Sequence, residues 1–154
     1  MLTDFHKEIL DEIIIISKLY RSEPKPDYVR WNDEKYREYA DLQGCRGTIA
    51  KDYFKCVIKD WLGEIVASIR FESFDFDRLF AGKKNIYVSS VGIYNNVGSI
   101  DGKGVLNKVY LATNHNDGNY FVRSHKVRTD KNYLSPFEDN FCEFFQECMD
   151  YLNG

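Results

Sequence analysis

An Asp-Gly pair between two strand-like segments constrains the fold more than any other feature of this chain. Asp117 and Gly118 separate residues 105–114 (VLNKVYLATN) from residues 119–127 (NYFVRSHKV), and both segments are rich in β-branched and aromatic residues. Asp-Gly suits tight turns that need a positive φ, so the sequence predicts a β-hairpin. Because directly opposed residues of an antiparallel pair share a face, the turn assigns each hairpin side chain to one of two faces.

The two histidines of this hairpin are predicted to lie on opposite faces. His115 joins the more apolar face, and His125 joins the other, so they are not expected to act as an acid/base pair or to share a metal ion. The second face is aromatic and basic, and its candidate partner-binding residues are Tyr110, Phe121, Arg123 and His125, with Arg128 just beyond the strand. Such a face can stack on and pair with an anionic partner. The alternative is a solvated or helix-covered face with snorkelling Lys and Arg side chains.

Helical periodicity marks the start of the chain. A helix is predicted from Thr3, a residue type that suits an N-cap, to Tyr20. Four consecutive isoleucines, residues 13–16, make this helix apolar over more than one stripe. The pattern favours burial on two sides, by a sheet and a neighbouring helix, or by a second subunit in a homodimer that forms through this Ile-rich helix.

Two further helices are predicted before the strands begin. The first spans residues 33–42, with Asn32 as its cap and Gly44 as its end. The second spans residues 48–62 and ends at Gly63. In this second helix, apolar residues recur every three to four positions on one face and charged residues occupy the other.

The period then changes to two, which indicates strands at residues 64–73 and 85–94 ahead of the hairpin. Residues 74–84 between them are predicted to form a loop or a short helix. Residues 95–104 contain three glycines and are predicted to form a flexible connection.

The last helix has a clear start, the Ser-Pro-Phe-Glu sequence of residues 135–138. One face of this helix is apolar, and the other carries acids that include Glu143, Glu147 and Asp150. Residues 132–154 hold five acidic residues and no basic one, in a chain whose net charge is −3. The acidic face is either solvated or offers its carboxylates to a basic partner. The net charge argues against a general nucleic-acid coat protein.

The order of elements predicts an α+β fold. We expect a single two-layer domain over residues 1–154, with N-terminal helices, an antiparallel sheet of about four strands, and a C-terminal helix packed on the sheet. A length of 154 residues suits one such domain.

Catalytic signals are weak. Glu72, Asp75 and Asp77 are close enough in sequence to hold Mg²⁺ for a phosphodiester reaction, and solvated acids in a loop are the alternative. Residues 101–108 (DGKGVLNK) lack the GxxxxGK[ST] pattern and lead into a strand, which argues against a phosphate loop. No nucleophile-elbow, zincin or EF-hand pattern is present, so no cofactor or other metal is expected and an enzyme is not favoured.

Cysteine usage and hydropathy favour a cytoplasmic protein. The four cysteines, Cys45, Cys56, Cys142 and Cys148, have no zinc-site spacing and are predicted to be reduced, buried thiols. The apolar run near the N-terminus is far too short to span a bilayer, so no membrane partner is expected.

These features together favour a protein that works by binding. The leading hypothesis is a non-enzymatic binding or inhibitor protein that neutralises a protein partner, of the toxin-immunity or anti-defence type. One alternative is a sensor domain that binds a nucleotide or RNA through the aromatic and basic hairpin face. Another is a metal-dependent phosphodiesterase that uses Glu72, Asp75 and Asp77.

Overall fold

A computed structural model describes residues 1–30, 32–63, 68–71, 74–76, 86–88, 90–100, 103–113, 120–126 and 138–154. These ranges contain helices α1 (Asp4–Ser22), α2 (Glu34–Leu62) and α3 (Glu138–Asn153). They also contain strands β1 (Ser68–Phe71), β2 (Phe74–Asp75), β3 (Tyr87–Val88), β4 (Ser90–Ile100), β5 (Lys103–Thr113) and β6 (Tyr120–Lys126). The predicted mixture of helices and strands is confirmed.

All strand pairs in these ranges are antiparallel. β1 pairs with β4, β4 with β5, and β5 with β6, so each of the longer strands lies beside its neighbour in sequence. The short strands β2 and β3 pair separately. Residues 74 and 75 had been predicted to form a loop or a short helix, and their pairing with β3 corrects this.

The flexible connection predicted at residues 95–104 is wrong. β4 continues to Ile100 and β5 begins at Lys103, so most of that segment is paired strand. The register shifts between Asn96 and Ser99. A bulge at this place accommodates one extra residue, and Gly98 lies within it, which agrees with the frequent use of glycine at bulges.

Helix α1 begins as predicted, at an N-cap formed by Thr3. The Thr3 hydroxyl accepts a hydrogen bond from the His6 N–H at 3.1 Å, and His6 Nδ1 accepts one from the Thr3 N–H at 3.1 Å. This is a capping box in which histidine takes the place of the usual Glu or Gln. Leu10 and Ile13 are fully buried, and α1 contacts both α2 and α3.

Helix α2 is one continuous helix of 29 residues, so the predicted end at Gly44 is wrong. An interior glycine costs a helix only about 1 kcal/mol relative to alanine. Side chains on either side of Gly44 contact the end of α1 and help to offset this cost. Gln43 Nε2 donates to the Tyr20 carbonyl at 2.7 Å, and Arg46 donates to the Leu19 carbonyl at 3.3 Å. Both bonds end on carbonyls of the last turn of α1, where intrahelical donors run out, and the Leu19 carbonyl also accepts from the Glu23 N–H.

The outer boundaries of α2 follow local rules. Its N-cap is Asp33 rather than the predicted Asn32, because the Asp33 carboxylate accepts a hydrogen bond from the Tyr36 N–H at 3.1 Å. Its C-cap is Gly63, as predicted. Gly63 has φ 70°, a left-handed conformation that favours glycine.

Aromatic rings join the helices in the core. Phe54 of α2 packs against Phe145 of α3 with ring centroids 5.5 Å apart, and Trp61 stacks on Phe144 at 4.9 Å. The predicted apolar faces of α2 and α3 are confirmed where the structure describes them, except at Tyr53, which was assigned to the apolar face of α2 and is exposed. Their buried apolar residues are Ala50, Phe54, Val57, Ile58 and Leu62 on α2, and Phe141, Phe144, Phe145, Cys148, Met149 and Leu152 on α3. None of the helices within the described ranges is long and apolar enough to cross a membrane.

Candidate protein-binding surface

The outward face of α3 is acidic. Glu143, Glu147 and Asp150 follow one another at spacings of four and three residues, which places them along one side of the helix, and all three are exposed. The opposite side holds the buried phenylalanines and Cys148. The helix therefore divides cleanly into a core face and a charged face.

Helix α1 extends this acidic face. Asp4, Glu8 and Asp11 also follow spacings of four and three residues, and all three are exposed. The Tyr151 hydroxyl donates a hydrogen bond to Asp11 Oδ1 at 2.6 Å, and this bond fixes α1 beside α3. We call the six carboxylates together the acidic surface; its members are Asp4, Glu8, Asp11, Glu143, Glu147 and Asp150.

Two polar contacts lie at the junction between α1 and α3. The hydrogen bond to Asp11 raises the pKa of the Tyr151 phenol above its ordinary value of 10.0, since it favours the protonated donor. The N-terminal amine of Met1 lies 3.4 Å from Glu147 Oε2. Both ends of this contact are exposed, so it neutralises little of the negative charge.

The hairpin places the predicted aromatic and basic residues in register. Tyr110 pairs with Arg123, and Ala112 pairs with Phe121. His125 pairs with Lys108. Arg128 and His115 lie outside the described residues, so the separation of the two histidines stays a prediction.

The predicted metal site is described only in part. Asp75 lies in β2, whereas Glu72 and Asp77 fall outside the described residues. Within the described part of the chain, no three His, Cys, Asp or Glu side chains come close enough together to hold a metal ion.

A cavity between α2 and β2 was not foreseen from the sequence. Its volume is about 360 Å³, within the range of small-molecule sites. Its wall includes Gly44 and Gly47, where an added Cβ would meet no atom within 4 Å. Aromatic side chains make up much of the remaining lining: Tyr20, Tyr36, Tyr39, Phe74 and Phe76. The one sequence feature that pointed to this cavity was the pair of glycines three residues apart, Gly44 and Gly47.

Two of the cysteines do not behave as predicted. Cys45 and Cys56 are exposed on α2, because they lie on the side of the helix away from Phe54 and the core. Cys148 is free and buried, as predicted, and burial raises the pKa of its thiol well above 9.0. The side chain of Cys142 lies outside the described residues.

No protein-family model matches the chain, and neither curated proteins nor solved structures gave a significant match. The chemistry of the surface is then the guide to function. Six exposed carboxylates lie on two helices that are joined by the Tyr151–Asp11 hydrogen bond, with exposed Lys7 among those of α1, so this surface carries net negative charge.

Proposed function

We propose that this chain is a non-enzymatic binding protein that neutralises a basic protein partner through the acidic surface. The observation that carries the proposal is the alignment of exposed carboxylates across α1 and α3, held in place by the hydrogen bond from Tyr151 to Asp11. In a toxin-immunity or anti-defence setting, such a surface acts by occupying the basic substrate site of a nuclease or a toxin.

Preorganisation supports this proposal. The carboxylates lie on helices whose reverse faces are anchored by buried rings such as Phe144, so little backbone order has to be gained on binding. Complementary charge steers the two proteins together and discriminates against acidic partners. Repeated negative charge on a rigid surface imitates a polyanion.

The proposal also includes the arrangement of the strands and helices in two layers. We infer that β1, β4, β5 and β6 form one layer and that the helices form the other. Contact between α3 and β6 supports this arrangement. The free thiols of Cys45, Cys56 and Cys148 support a reducing compartment, and we place the protein in the cytoplasm.

One observation favours a second candidate, the sensor domain for a nucleotide or RNA. The pairing of Tyr110 with Arg123 puts an aromatic residue and a cation at the same position across two strands. This combination suits stacking on a base and pairing with a phosphate. In that case, the ligand binds the hairpin rather than the acidic surface.

Purification of the tagged full chain from its native host tests the proposal. We expect a protein partner that co-elutes at a fixed ratio in size-exclusion chromatography and stays bound in EDTA. Dissociation at raised salt is expected, because exposed charges are screened. Recovery of a nucleotide or RNA without any protein partner would support the sensor instead, and recovery of the chain alone would count against both.

A further inference from the structure

An exposed apolar stripe runs along the outer side of α2. Leu42 is 40% exposed, Ile49 is 45% exposed and Tyr53 is 38% exposed, and Cys45 and Cys56 are also exposed. These are unusual residues to leave in water on a helix that already buries a separate apolar face against the core. We call the five residues the outer stripe.

The spacing of the outer stripe is symmetric about Ile49. Leu42 and Cys56 lie seven residues to either side, and Cys45 and Tyr53 lie four residues to either side. A second helix laid antiparallel across this stripe, with a two-fold axis at Ile49, sets each member against another member. We propose that α2 pairs with α2 of a second copy of the chain in this way, and that the protein is a homodimer.

Flanking charges select the antiparallel direction. Asp41 and Lys59 are eighteen residues apart, about five whole helical turns, so they lie on the same edge of the stripe near its two ends. In the antiparallel pair, Asp41 of one copy faces the stretch between Lys55 and Lys59 of the other. Glu38 faces Asp60 of the other copy, so the favourable charge pairing is between Asp41 and the two lysines. A parallel pair would separate Asp41 from Lys59 of the other copy by eighteen residues along the axis, about 27 Å at 1.5 Å per residue, so this attraction would be lost.

The size of the stripe sets the strength of the pairing. Its five residues cover about 21 Å of helix, at 1.5 Å per residue. This is a small contact for a permanent dimer. The dimer is therefore concentration-dependent, and it uses a different helix from the Ile-rich α1, for which a homodimer was one of the alternatives that the sequence left open.

Light scattering over a dilution series is the first test. The wild-type chain is expected to shift from monomer to dimer as concentration rises, and Ile49→Glu is expected to stay monomeric. Ile15→Glu is the matched control, because Ile15 is an exposed isoleucine of α1 at 49%. A wild-type chain that is monomeric throughout would overturn the proposal, as would dissociation by Ile15→Glu but not by Ile49→Glu.

Disulfide crosslinking tests the direction and the register. In the antiparallel pair, position 42 of one copy faces the native Cys56 of the other. Under mild oxidation, Leu42→Cys with Cys45→Ser is expected to give a covalent dimer on a non-reducing gel. Adding Cys56→Ser should abolish that dimer. Both variants keep Cys142 and Cys148, so these two cysteines cannot explain a difference between them. Equal crosslinking in both variants, or in neither, contradicts the proposed pairing.

Discussion

His6 and Asp60 join the first turn of α1 to the last turn of α2 through a hydrogen bond of 2.7 Å between Nε2 and Oδ2. The other ring nitrogen, Nδ1, accepts a hydrogen bond from the Thr3 N–H. A nitrogen that accepts from an amide carries no proton, so Nε2 carries the proton and donates the hydrogen bond to Asp60 Oδ2. The ring is 2% exposed and packs edge-on against Phe144. Both nitrogens are occupied within the chain, and His6 is a structural residue rather than a general base.

Removal of the Asp60 carboxylate is expected to destabilise the fold. Asp60→Ala leaves the His6 Nε2–H without its acceptor at a buried ring, and we expect a loss of about 1–2 kcal/mol in the free energy of unfolding. Asp60→Asn keeps an acceptor oxygen at the same place and should cost clearly less. Urea denaturation of the three proteins measures the difference. Equal stability of Asp60→Ala and the wild type would show that the bond between the helices contributes nothing.

The glycines of α2 are expected to respond to alanine in opposite directions. At Gly44 and Gly47 an added Cβ meets no atom within 4 Å, so alanine should stabilise the chain by about 0.5–1 kcal/mol at each position through helix propensity. Gly63 has φ 70° and ψ −147°, a conformation that side chains rarely adopt, so Gly63→Ala should destabilise by about 1–3 kcal/mol. Chemical denaturation distinguishes the two signs. Destabilisation by Gly44→Ala would mean that its surroundings differ from those described.

Burial of Cys148 predicts a loss of stability at alkaline pH. The unfolded thiol ionises near its ordinary pKa of 9.0, whereas desolvation raises the pKa of the folded thiol well above that value. The folded state therefore holds its proton longer, and the free energy of unfolding falls as pH rises above about 9. Cys148→Ala should remove this part of the slope. If the free energy of unfolding falls equally with pH in the variant and the wild type, Cys148 is not the source of the alkaline loss.

Thiol labelling distinguishes the same cysteines in the native state. Cys45 and Cys56 are exposed and should react at once with a disulfide reagent, whereas Cys148 should react only after unfolding. Mass spectrometry of labelled peptides identifies each site. Rapid native labelling of Cys148 would show that α3 does not stay packed on the core.

Local sequence signals were sufficient to predict the ends of some helices but not of others. The cap at Thr3 and the stop at Gly63 depend on residues within one helical turn, and both predictions are confirmed. The passage of α2 through Gly44 depends on Gln43 and Arg46 reaching the end of α1, more than twenty residues away. No short window of sequence contains that information.

The same division applies to the candidate site. The helical spacing of Glu143 and Glu147 predicted an acidic face on α3, because periodicity is a local property. Its continuation onto α1 depends on the bond between Tyr151 and Asp11, which are 140 residues apart. Residues so far apart in sequence meet only through the packing of the whole core.

Neutralisation of the acidic surface tests the central claim most directly. Glu143→Gln, Glu147→Gln and Asp150→Asn together should weaken binding of the captured host protein about tenfold or more, as expected for three exposed charge pairs. Asp27→Asn, Glu34→Gln and Asp52→Asn together remove the same charge from other exposed positions and should leave the dissociation constant nearly unchanged. Both variants should keep the circular dichroism spectrum of the wild type. Equal binding by the two triple variants, measured by biolayer interferometry at physiological salt, would contradict the account.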